Sequence, residues 1–395
     1  MRKQRRYDRE LTTKNTKVFT ENTKKIFVLS VWLLLCALCG KTQKKEVPQE
    51  IMQRVYEEVK TPYKYGMVVS PADSTKKIDC PSVFRKGNSW YMTYIQFDGR
   101  GYETWLAKSK DLLEWKTLGR ILSFSDTTDW DNNQKAGYIA LQDTKWGGSY
   151  KLKKYQSKYW LSFIGGKDRG YEAGPLAIGM AYTKKNPAKP HEWQRLQQPV
   201  LSSTDKDVRW WENRKLFKSS IIRDENKTLG SEFIMYYNAN GDSSGNKPKW
   251  RWFERIGMAV SDDMVNWKRY HADPVMEHGI GITGDAVIQR INDVWVMFYF
   301  GAFWEKRKNE TFNRFACSYD LVNWTDWNGD DLVKSTEPYD AKYAHKSFVV
   351  KWKGVVYHFY CAVDKKDTRG IAVATSKDFS HKPAGRQAGA LRPTK

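Results

Sequence analysis

Apolar and polar positions alternate in short runs from Lys76 to Leu122, with a polar or glycine turn between each run and the next. An aspartate, Asp79, opens the first run. The turn Lys86-Gly87-Asn88 follows, then an aromatic run, Trp90 to Ile95, a turn at Gly99, and Trp105 to Ser109. Period-two alternation with such turns predicts strands joined by hairpins. The unit closes on Asp111-Leu112-x-x-Trp115.

Variants of this unit recur. The second begins near Ala136, with a short strand at Gly148–Leu152, an aromatic strand Tyr159–Ile164, a third at Ala177–Tyr182, and Trp193 in the closing position. The third runs through Lys218–Ile222, Phe233–Asn238 and Arg255–Ser261 to Asp263-Met264-x-x-Trp267. The fourth runs through Gly284–Ile288, Val294–Phe300 and Phe315–Ser318 to Asp320-Leu321-x-x-Trp324. The fifth has Ala344–Val349, Val355–Ala362 and Gly370–Ser376, finished by Asp378-Phe379. A repeat of about 60–70 residues predicts an all-β fold, a five-bladed β-propeller of four-stranded antiparallel blades. A multi-sheet sandwich leaves the recurrent Asp-Leu/Met-x-x-Trp turn unexplained. That turn reads as structural, its aspartate capping the chain reversal and its tryptophan packing between blades.

The N-terminal region has a different pattern. Ile26 to Leu38 is an apolar run behind Lys24-Lys25, too short for a membrane span and suited to an export signal. Cys39-Gly40 and the polar segment after it suggest a lipoprotein processing site, although Leu38 stands where a small residue is usual. Residues 1–40 therefore read as a basic region and signal, 41–65 as a tether with a helical patch at Gln49–Val59, 66–380 as the catalytic propeller and 381–395 as a tail. The expected location is the periplasm or outer-membrane surface, with membrane attachment through a lipid on Cys39.

Composition adds two constraints. The chain carries 67 Lys and Arg against 45 Asp and Glu, a net charge of +22. The basic residues downstream of the signal interleave with acids and aromatics and form no nucleic-acid reader motif. An acidic polysaccharide or anionic surface suits the charge better. Of five cysteines, Cys80, Cys317 and Cys361 have no metal-ligand spacing and read as small buried hydrophobes.

In a propeller the innermost strand of each blade opens onto one face of a central channel. Asp79, Asp285 and His345 stand at the starts of three such strands and read as corresponding places. Glycosidic cleavage needs an acid on the leaving oxygen and a second carboxylate that activates water or attacks the sugar. Asp79 is the expected base and Glu172, after a glycine-rich turn, the expected acid. Glu103, Glu212 and Glu254 are rivals for the acid. Asp285 is expected to orient the acid, raise its pKa by like-charge proximity or bind a sugar hydroxyl, and His345 to bind substrate, donate a proton or ligate an ion. Trp210, Trp211 and Trp304 are candidate sugar-stacking walls, and Glu212, Arg214 and Lys346 candidate substrate contacts. No cofactor is required; a channel-bound calcium near His345 is the one ion considered.

The blade turns SKDLLEW, SDDMVNW and SYDLVNW, with Asp79 at the head of the first unit, resemble the five-bladed propeller glycoside hydrolases, among them families 43, 32, 117 and 130, over about residues 66–380. The resemblance implies an exported, exo-acting, inverting glycosidase on plant or marine oligosaccharides. Asp79 matches the family 43 base. The second aspartate of that pattern has no counterpart at Gly148-Ser149-Tyr150, and Asp285 with His345 suits the family 117 arrangement better. A glycoside phosphorylase and a non-catalytic carbohydrate-binding propeller are the alternatives.

Overall fold

The computed structural model describes residues 46–126, 129–190, 193–241 and 253–379. The apolar run Ile26–Leu38, Cys39 and the tail 381–395 lie outside the described residues. The chain enters through helix α1 (Gln49–Val59) and strand β1 (Tyr63–Val69). The sequence predicts this helix, but as part of a tether. Instead Met52, Val55 and Val59, spaced to fall on one helical face, are buried in the main core.

The first sheet is β2 (Lys77–Lys86), β3 (Ser89–Phe97), β4 (Tyr102–Ser109) and β5 (Lys116–Leu122). The second is β6 (Gln134–Ile139), β7 (Tyr159–Gly166), β8 (Leu176–Thr183) and β9 (Gln194–Arg195). A nine-stranded sheet follows, made of two antiparallel runs. One is β10 (Lys215–Arg223), β11 (Phe233–Asn240), β12 (Phe253–Ser261) and β13 (Lys268–Arg269). The other is β14 (Gly281–Ile291), β15 (Val294–Trp304) and β16 (Arg307–Ser318), edged by β17 (Thr325–Asp326) and β18 (Val333–Lys334). Only a parallel contact, Phe253 with Gly281 and Glu254 with Ile282, joins them.

The last sheet has β19 (Tyr343–Trp352), β20 (Val355–Val363) and β21 (Arg369–Thr375), and its fourth strand is β1. Tyr63 pairs with Thr375 and Val69 with Ile371. The expected closing element, Asp378-Phe379, is not a strand. The two ends of the folded body thus share one sheet, which covers an edge that would otherwise be exposed.

The recurrent turn is structural, and its three copies are nearly superimposable in their bonding. Leu112, Met264 and Leu321 take φ of 70°, 66° and 69°. That strain is offset by the aspartate: Oδ1 of Asp111 accepts the N–H of Leu113 and Glu114, and Asp263 and Asp320 do the same two and three residues on. Each tryptophan then packs on the preceding sheet. Trp115 meets Phe359 edge-on at 5.8 Å, Trp324 meets Tyr236 at 5.9 Å, and Trp267 joins the cluster of Ile178 and Met180. Most of the aromatic core therefore lies between sheets.

One segment departs from the expected repeat. The first strand of the second sheet is β6, and Gly148–Leu152 lies on a long excursion, Ala140 to Lys158. This excursion crosses one end of the inner strands, bridging to Arg85, Ile221 and Arg290. Tyr150 is fully buried there. Its phenol accepts the N–H of Lys351 and Gly147 and donates to Gln289.

Candidate active site

Four inner strands bulge at the end opposite Tyr150. The bulges fall between Asp79 and Ser82, Leu216 and Ser219, Gly284 and Val287, and His345 and Phe348. Two residues there oppose one on the partner strand, so a side chain is re-aimed. Cys80, Asp285 and Lys346 carry the strain, with φ of 51°, 60° and 58°. This corrects the expected equivalence by one residue. Asp79 and His345 share a place with Gly284, while Asp285 shares its place with Cys80 and Lys346. Gly284 cannot carry a side chain there, since a Cβ would come within 2.6 Å of Asn238 Nδ2. Asn238 is needed, because its Oδ1 accepts the Asp285 N–H at 3.0 Å.

The bulged ends surround a cavity of about 210 Å³. Its wall carries the carboxylates Glu172, Glu254 and Asp285 and the bases Lys218, His345, Lys346 and Arg369. Tyr102, Tyr138, Tyr171, Phe217 and Phe300 supply the apolar faces. The structure thus brings together four expected residues, Glu172, Asp285, His345 and Lys346, and promotes a rival, Glu254.

Glu254 is the exceptional acid. Desolvation in the cavity wall, then the neighbouring Glu172 charge, push its pKa up to about 8, so it holds its proton at neutral pH. Among the described residues its hydrogen bond from Asn238 Nδ2 is long, at 3.5 Å. Glu172 sits at φ 50°, between Tyr171 and Ala173, and accepts from the Tyr102 hydroxyl at 3.4 Å. Lys215 anchors its backbone carbonyl at 2.5 Å. Asp285 lies 3.6 Å from Lys218 Nζ, and both side chains are buried. Among the described residues the Lys218 ammonium has no hydrogen-bond partner, and it lies over the Tyr138 ring.

Asp79 does not line the cavity; it lies behind the wall, on the same strand as Cys80. Burial alone would raise its pKa, but Lys346 at 2.9 Å and Arg369 at 3.5 Å outweigh burial and hold the carboxyl well below the usual range. Both cations engage the oxygen Oδ2, and Oδ1 accepts the Cys80 N–H at 3.0 Å. Burial also lowers the His345 pKa to about 3, which keeps the imidazole neutral. Asp79, His345 and Cys361 lie close enough to share an ion. Calcium takes six to eight oxygens; this set offers one carboxylate, already paired, beside a nitrogen and a thiol. It does not fit calcium.

Several expected contacts lie elsewhere. Trp211 and Glu212 are fully buried. Glu212 is ion-paired to Arg269 at 2.7 Å and accepts from the Tyr237 hydroxyl and the Arg209 N–H. Glu103 is held by Arg120 and Ser123. Trp304 stacks on His278 at 3.8 Å, and Arg255 covers Trp210. Arg214 is exposed and outside the cavity wall. Residue-by-residue reading missed Lys218 in the β10 bulge, Tyr171 in the turn between β7 and β8, and Arg369 at the start of β21. Tyr171 was within reach, since Asp168-Arg169-Gly170-Tyr171-Glu172 echoes the turn before Tyr102-Glu103.

No protein-family model matches the chain, and no curated protein does. Among solved structures, one titled "Glycoside hydrolase" is 51% identical with a TM-score of 0.81, covering 89% of this chain and 99% of that one. Another, titled as a complex of BT0996 and RGII, is 52% identical with a TM-score of 0.82, covering 89% and 100%. A family 117 glycoside hydrolase from Zobellia galactanivorans, 14% identical over 80% of this chain and 90% of that one with a TM-score of 0.54, shares the fold. Identity of this level over the whole length of a relative settles the class: the chain belongs to the glycoside hydrolases.

Proposed function

We propose that this glycoside hydrolase is an exo-acting, five-bladed propeller enzyme in which Glu254 is the general acid and Glu172 the partner carboxylate. The five blades follow from treating the two runs of the nine-stranded sheet as separate units, since only one short parallel contact joins them. The observation that carries the chemistry is the placement of Glu254 and Glu172 on the wall of one cavity, where burial and the neighbouring Glu172 charge push the Glu254 pKa up to about 8. A carboxyl that holds its proton beside a second carboxyl on one wall is the pairing that glycosidic cleavage requires. Asp285, anchored by Lys218 and Asn238, is suited to accept from a sugar hydroxyl. This assignment replaces the expected Asp79–Glu172 pair.

The cavity supports exo action. At about 210 Å³ it is below the ~300–1,000 Å³ of typical ligand sites. The Tyr150 excursion also crosses the far end of the inner strands. A terminal sugar fits this shape better than a chain passing through. The neighbour titled as an RGII complex makes an RGII oligosaccharide the first substrate to try. Export, with lipid attachment at Cys39, rests on the Lys24-Lys25 and Ile26–Leu38 pattern. Membrane association that persists in Cys39→Ser would refute the lipid.

The test is release of a terminal sugar from RGII oligosaccharides by wild-type and Glu254→Gln protein. Release by wild type alone supports the reading. Equal release by both sinks the acid assignment, and a requirement for inorganic phosphate makes the enzyme a phosphorylase. Proton NMR of the first-formed anomer reads the inverting course expected from the sequence.

A further inference from the structure

Asn238 is a buried amide on the cavity wall, and the register of its strand places it beside the acid. Asn238 on β11 pairs with Ile256 of β12, and Asn240 pairs with Glu254. Asn238 and Glu254 are therefore diagonal neighbours on one face of the sheet. The network fixes which way the amide points. The backbone N–H of Asp285 can only donate, so the atom 3.0 Å from it is the oxygen Oδ1. Nδ2, which carries only donors, is left to face Glu254 Oε2 at 3.5 Å. Two features hold the amide there. A Cβ at Gly284 would lie 2.6 Å from Nδ2 and 3.0 Å from Cγ, so the glycine makes the room. Asp285 keeps a left-handed backbone, φ 60°, next to the β14 bulge, and such strain persists only where surrounding contacts over-determine it.

We propose that Asn238 is a positioning residue: it directs the proton of the general acid Glu254 onto Oε1, the oxygen left open to a leaving group, while its other end holds Asp285 in place. The proposal rests on the Glu254 assignment above. A protonated carboxyl has one hydroxyl and one carbonyl oxygen. The amide N–H groups need an acceptor, so Oε2, which faces them, is the carbonyl and Oε1 the hydroxyl. No described residue forms a hydrogen bond with Oε1. Burial and the Glu172 charge keep the proton on Glu254, whereas the bond from Asn238 favours the ionised form. What Asn238 supplies is thus direction: it decides which oxygen carries the proton. A general acid acts only when its O–H reaches the leaving oxygen, and hydrogen bonds of this kind commonly tighten when substrate binds.

The experiment is infrared difference spectroscopy of the full-length protein at neutral pH. Wild type, Asn238→Leu and Gly284→Ala are each subtracted from the same protein carrying Glu254→Gln. Wild type should show the C=O stretch of a protonated carboxyl that Glu254→Gln lacks. Asn238→Leu keeps the shape and removes the donor, so the stretch should rise in frequency. Gly284→Ala leaves every polar group in place but displaces the amide, and should move the stretch the same way. On RGII oligosaccharides Asn238→Leu should lose about tenfold or more in kcat with KM little changed, because the proton is misdirected and the sugar still binds. A stretch that stays put in both variants overturns the proposal even where turnover falls, and so does wild-type turnover by Asn238→Leu. If Asn238→Leu does not fold, Gly284→Ala decides, and the infrared result holds whatever sugar is cleaved. No carboxyl band lost in Glu254→Gln sinks the acid assignment and the proposal with it. A band that is present but unmoved sinks the positioning role alone.

Discussion

Tyr102-Glu103 and Phe253-Glu254 are the same step, aromatic then glutamate, at the start of the third strand of their units. In the first, the face that carries Ile95 and Tyr102 lines the cavity, and Glu103 turns away to Arg120 and Ser123. In the other, the face that carries Asn238 and Glu254 lines it. Strand neighbours point to opposite sides, so a difference of one residue in facing exchanges a sugar-facing aromatic for a sugar-facing acid. The second difference lies in the partners. Glu103 is paired with Arg120, whereas among the described residues Glu254 has one long hydrogen bond, and desolvation with the Glu172 charge outweighs the opposing pull of Lys346. A carboxyl in that position keeps its proton and can give it to a leaving group.

The sharpest test of this contrast is paired. Glu254→Gln should lower kcat by about 10²–10⁴-fold with folding intact. Glu103→Gln should leave kcat near wild type and lower stability by about 1–2 kcal/mol, read by denaturant unfolding. If both variants lose turnover equally, the facing of the two strands does not separate their roles.

Glu212 extends the comparison to a carboxylate with every oxygen engaged. Glu212→Gln breaks its buried pair with Arg269 and should destabilise by about 3 kcal/mol without moving the kcat/KM pH profile. A shifted profile would place Glu212 in contact with the chemistry.

The pH dependence follows from the sign of the Glu254 shift. Its folded pKa is raised, so the required proton is present below about 8 and activity falls as pH rises through that value. The unfolded chain sheds this proton near the ordinary carboxyl range, so the folded state binds more protons between that range and about 8. Stability should therefore decline with rising pH across that window, and Glu254→Gln should flatten this decline. Asp79 has the opposite sign. Its depressed pKa contributes stability above the ordinary aspartate range, which is lost as pH falls through the folded value.

The far end of the cavity and the blade turns should affect stability alone. Tyr150→Phe strands the N–H groups of Lys351 and Gly147 and should cost about 1–3 kcal/mol, with kcat unchanged. Asp111→Ala removes the acceptor of two turn N–H groups and should cost about 1 kcal/mol, with a correspondingly small drop in Tm.

The local pattern determined much of this protein. Alternation and glycine turns marked most of the long strands, and Asp-Leu/Met-x-x-Trp marked the reversals, because both signals depend on residues only a few positions apart. The helix Gln49–Val59 was legible for the same reason. The tertiary structure alone decided what involves distant partners. Strand β1 completes a sheet with β21, some three hundred residues later, and no local pattern records that pairing. The bulges displaced Asp285 and Lys346 by one place relative to Asp79 and His345, and in β2 one residue separates Cys80, on the cavity wall, from Asp79, which is not on it. Whether a carboxylate is an acid, an anchor or a strut depends on the charges that the folded sheets bring beside it. Asp79 meets Lys346 and Arg369, Glu212 meets Arg269, and Glu254 meets Glu172; that difference in neighbours sets their protonation and so their chemistry.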